Sequence, residues 1–99
     1  MTFPGDLLLS AQRAFLGRIH PQMRIIKAAM KENEIVIFVM MDSEPSERVR
    51  EDVSEATTEI IADFPAETMI AERFATDSSP LPNENALKWY WIYERADNP

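Results

Sequence analysis

The run IVIFVMM, Ile35 to Met41, sets seven apolar side chains in succession and constrains the fold more than any other stretch of the chain. It is too short to cross a bilayer, and it is rich in the β-branched residues that favour strands. A strand with no polar alternation has to be central, with both faces shielded. The apolar run MRIIKAAM lies just before it, and only Lys31-Glu32-Asn33-Glu34 joins the two. That link is too short for a crossover but suits an antiparallel hairpin.

Helical signals flank this hairpin. Pro4-Gly5-Asp6 offers a turn and an N-cap, after which Leu7, Leu8, Ala11, Ala14, Phe15 and Ile19 fall near one side at helical spacing. Gly17 suits a C-terminal cap and Pro21 forbids continuation, so this first helix is expected to stop by about residue 19. Ser46 caps a second helix expected to reach about Asp63, with Val49, Val53, Ala56 and Ile60 as one narrow apolar stripe. Phe64 closes that stripe and Pro65 ends it. ETMIAERFA then reads as a third strand, Asp77 to Asn85 as a polar loop with Pro80 and Pro82, and LKWYWIY as a fourth strand.

Ninety-nine residues make one domain, residues 1–99, around one core. The order αββαββ packs most simply as an α+β fold, a four-stranded antiparallel sheet with two helices on one face. The other face then poses a problem. Strand two and strand four are apolar at both parities, and each exposed aromatic ring would add up to about 150 to 250 Å² of apolar surface. Two readings stay open: association through that face, with a partner or a second copy, and coverage by the loop from Asp77 to Asn85.

Charge narrows the function. Between Asp42 and Glu67 lie nine acids against two bases, so the whole formal net charge of -7 resides in that segment. Phosphate backbones repel such a surface, which argues against nucleic acid as a partner. No window approaches eighteen uninterrupted apolar residues, so no membrane span is expected, and the first thirty residues do not read as a signal peptide. The absence of cysteine is compatible with a reducing cytoplasm.

Catalytic chemistry finds little support. His20 is the single histidine and sits before Pro21 at a helix exit, without a positioned nucleophile. Two glycines are too few for the spaced glycine patterns that cradle phosphates. Asp42-Ser43-Glu44 lacks the spacing of a calcium loop. No catalytic residue, metal ligand or cofactor is expected. The oddity lies on the second helix, where Glu47, Glu51, Glu55 and Glu59 repeat at i, i+4, a like-charge spacing that costs roughly 0.2 to 0.5 kcal/mol per pair. Solubility accounts for such a row, and so does steering toward a basic protein.

Three stretches carry a resemblance: LSAQRAFLG followed by Pro21 and Arg24, EIIADFP at Glu59 to Pro65, and WIYER at Trp91 to Arg95. Together they look like a group of small bacterial proteins similar to the immunity proteins encoded beside secreted toxins. The resemblance spans nearly the whole chain. It departs at Val49, where a capping-box acid would follow Ser46, and in a more aromatic last strand. It implies a noncatalytic cytoplasmic protein that blocks a basic toxin domain. Glu51, Glu55 and Glu59 would then be the steering contacts, with Trp89 and Trp91 as anchors where exposed. The competing expectation is a homodimer joined through the open sheet face.

Overall fold

The computed structural model describes residues 4–76 and 89–96, in the order α1 (Pro4–Ala14), β1 (Met23–Lys31), β2 (Glu34–Met41), α2 (Glu47–Ile61), β3 (Met69–Thr76) and β4 (Trp89–Glu94). The polar loop expected from Asp77 to Asn85 lies outside the described residues, as do Leu87 and Lys88 at the expected start of the last strand.

β1 and β2 form the expected antiparallel hairpin, pairing from Lys31 with Glu34 to Met23 with Met41. Its tight turn places Glu32 at a φ of 56°, an uncommon conformation for a residue with a Cβ. The turn is also tied to the rest of the sheet, because the Asn33 carbonyl accepts a 2.8 Å hydrogen bond from the Met69 amide.

The sheet is mixed, which corrects the fully antiparallel expectation. Its strand order is β3-β2-β1-β4, and β3 pairs parallel to β2, with Ile35 opposite Ile70 and Val39 opposite Phe74. β4 pairs antiparallel with β1 at the other edge. β3 and β4 therefore lie three strands apart and point the same way, so they do not form a second hairpin. The physical reason is the α2 connection. Residues 42–68 with their helix are long enough to return the chain to the start of the sheet, as a parallel neighbour requires. The two α-β-β units look alike in sequence, but only the first folds as helix plus hairpin.

Both helices pack on one face of this sheet. Leu7, Ala11, Ala14 and Phe15 of the first helical segment join Val49, Val53, Ala56 and Ile60 of α2 in one core. The sheet supplies Ile26, Ala28, Ile35, Ile37, Val39 and Met41 from alternate positions, as a pleated strand must. The expected stripe on α2 is thus the buried one, with Thr57 added beside it. Ser46 caps α2 by accepting the Val49 amide at 3.2 Å. α1 ends earlier than expected, at Ala14, because Phe15 to Gly17 tighten into a turn in which the Leu16 amide bonds to Arg13 and the Arg18 amide to Phe15. Gly17 occupies the left-handed region there, with a φ of 80°, which a side chain would strain.

Candidate functional site

α2 carries its charge along the flank that faces away from the sheet and toward the α1–β1 turn. Glu51, Glu55 and Glu59 are all exposed. Arg18 enters this row from the turn, with Nη2 2.7 Å from Glu59 Oε2 and 3.5 Å from Glu55 Oε1. Its Nη1 donates to the Ala14 carbonyl at 2.7 Å, which fixes the guanidinium at the end of α1. The hydrogen bond to Glu59, above all, raises the Arg18 pKa above its ordinary value. One arginine thereby offsets the repulsion between two carboxylates at i, i+4.

Neighbouring contacts fix the same flank. His20 Nε2 lies 2.6 Å from Asp52 Oδ2, and Arg48 Nε lies 3.8 Å from the same oxygen. Ser10 donates to Asp63 Oδ2 at 2.6 Å, joined by Arg13 at 3.2 Å, so the C-terminal end of α2 is held to α1. Glu51 stands apart, because no ion pair reaches it among the described residues. The single histidine thus pins the entry of β1 to α2. No nucleophile accompanies it among these contacts.

Trp89 and Trp91 lie elsewhere. Both occupy β4 positions opposite Ala29 and Lys27 of β1, on the face away from the helices. The sheet stands between them and the glutamates, so the five expected contact residues do not converge on one surface. That far face is also less open than expected. Phe38 is 2% exposed and Met40 8%, while Trp91 is 52% exposed and Trp89 half-buried. Phe38 meets the Trp89 ring edge-on, with centroids 6.2 Å apart. The aromatic side chains thus cover one another in part, and the apolar patch is narrower than both-parity apolar strands suggested.

The element missed in the sequence is Lys27, 8% exposed on this same face. Its Nζ lies 5.1 Å from the Trp91 ring centre, 5.2 Å from Trp89 and 5.5 Å from Phe38. A lysine in the middle of the apolar run MRIIKAAM, flanked on both sides by apolar pairs, was the available signal. Arg18 had a weaker one, since nothing local distinguishes a base after a helix until the partner helix is placed.

The grooves formed by the described residues are open to solvent. A groove of about 270 Å³ runs between the end of α1 and β4, lined by Phe15, Leu16, Ile19, Ile92 and Tyr93, and it is mainly apolar. Among the described residues there is no group of three or more His, Cys, Asp or Glu side chains placed to hold a metal ion. No described helix is long and apolar enough to cross a membrane.

The described residues thus form a small α+β domain with one charged helical flank and one aromatic sheet face. A sequence model described as MafI2 immunity protein matches residues 4–97. The chain belongs to the MafI2 immunity protein family. No curated protein matches it.

Proposed function

We propose that this protein is a noncatalytic immunity protein that neutralises a toxin by binding it, and that the exposed flank of α2 makes the contact. The observation that carries the reading is the row Glu51, Glu55 and Glu59, solvent-exposed on a helix held in place at both ends. All of the chain's excess negative charge lies in the segment that contains it. Such a field favours encounter with a basic toxin domain and selects against acidic partners. Family membership supports a toxin-immunity role, and the reading places the protein in the cytoplasm of the cell that makes the toxin.

The test is co-expression with the toxin encoded next to it. The toxin alone should arrest growth, and this protein should restore growth and co-purify with it. Growth arrest in the presence of well-expressed, folded protein would overturn the proposal.

A further inference from the structure

Five large apolar side chains stand exposed among the described residues, and three of them, Leu9, Leu16 and Ile19, belong to α1 and the turn that follows it. Leu16 is 75% exposed and Leu9 59%. Single exposed apolar residues are ordinary, but three on one short segment are not scattered. Leu16 and Ile19 also line the groove between the end of α1 and β4, which continues over Phe15, Ile92 and Tyr93. That groove, at about 270 Å³, is smaller than the roughly 300 to 1,000 Å³ of small-molecule sites. It suits one large side chain.

On its other side α1 borders the carboxylates of α2. Two hollows there share Arg13 and Asp63, one lined also by Asp6 and Leu9 and the other by Glu59. Arg13 reaches Asp63, and Arg18 reaches Glu59 and Glu55, so four carboxylates, Asp6 included, stand against two arginines. Leu9 shares a hollow with Asp6 and Asp63, and Leu16 leaves the same turn as Arg18, so exposed leucines and carboxylates adjoin along α1. A wholly apolar occupant would desolvate those carboxylates without a partner. A second copy would bring the same carboxylates, from a chain of formal net charge -7. An apolar side chain set between bases suits both the groove and its rim.

We propose that the toxin seats an aliphatic or aromatic side chain, flanked by Lys or Arg, in the groove between α1 and β4. The inference rests on the toxin-binding reading of α2 and extends that surface across α1. Packed helices lie about 8 to 10 Å apart, and an interface of standard size covers roughly 800 Å² of each partner. A domain seated on the α2 glutamates therefore reaches Leu9 and Leu16. Exposed charges act mainly on the rate of encounter, whereas a desolvated anchor in a pocket acts on affinity.

The experiment measures affinity of the full chain for the toxin domain encoded beside it, at low and physiological salt. Leu9→Gln combined with Leu16→Gln keeps helix propensity and removes apolar surface. This pair should weaken binding about tenfold or more, equally at both salts, because screening acts on charges. Leu9→Met combined with Leu16→Met should retain most of the affinity. Loss of binding in Glu51→Arg with native affinity in the glutamine pair would overturn the groove contact and leave the α2 reading standing, whereas a native protein that does not bind the toxin would remove both. A lower urea midpoint in the glutamine pair would show that this same chain covers the leucines and would also overturn the proposal. So would self-association of the toxin-free protein that the glutamine pair abolishes, since a second copy would then be the occupant.

Discussion

Arg95 leaves β4 and turns its guanidinium back to the loop after β2, where it meets the Asp42 oxygens at 2.7 and 3.0 Å and the Pro21 carbonyl at 2.9 Å. A bidentate fork of this kind joins the last strand to the entry of β1 and the exit of β2. The Arg95 hydrogen bond is the main cause that holds the Asp42 carboxyl below its ordinary value. The folded state therefore binds this proton less readily than the unfolded chain. Its stabilising contribution is complete above the unfolded value, near about pH 4, and fades as pH falls through the lower folded value. Asp42→Asn should destabilise the protein at neutral pH, and the gap from the native chain should narrow on acidification, read by urea unfolding at a series of pH values. A gap that widens in acid would refute this. Ser46 offers a second residue-scale test. Ser46→Ala removes the acceptor for the Val49 amide and should cost about 1 kcal/mol, seen as a lower urea midpoint at unchanged slope.

At the scale of elements, stability depends on how tightly β2 is enclosed. Ile37 is fully buried between the helices and the sheet, so Ile37→Ala should cost about 2 to 5 kcal/mol in urea unfolding. The neighbouring Val36, half-buried on the other face, should tolerate Val36→Ala with a smaller loss. The same burial explains what could be read without a structure. β2 was legible because seven apolar residues in succession admit few other roles, and α2 because its stripe and its capping serine agree. The direction of β3 was not legible. ETMIAERFA carries no mark of the strand it will pair with, and parallel pairing depends on a helical crossover whose return point is set by tertiary packing. The early stop of α1 escaped for a similar reason, since Phe15 keeps the apolar spacing of a helix while serving the core from a turn.

At the scale of the whole molecule, the two layers present different chemistry to solvent. The flank of α2 holds a row of exposed glutamates, and the sheet's other face mixes Lys27, Lys31 and Arg73 with Glu34, Glu94 and the exposed part of the aromatic row. The glutamates expected as contacts do share one flank, while the tryptophans expected beside them lie across the sheet. Helical spacing alone places the first group, but no sequence pattern states which way β4 faces until its register with β1 is known. In the proposed complex the α2 flank receives a basic toxin domain. Glu51 tests it most cleanly, because removing it breaks no ion pair among the described residues, unlike Glu55 and Glu59, which hold Arg18. The decisive measurement is the affinity of Glu51→Arg for the toxin encoded beside this protein, taken at low and physiological salt. A loss of about tenfold or more, equal to roughly 1.4 kcal/mol, that shrinks as salt screens the repulsion is expected; affinity equal to the native protein's at both salts would rule out contact through this flank.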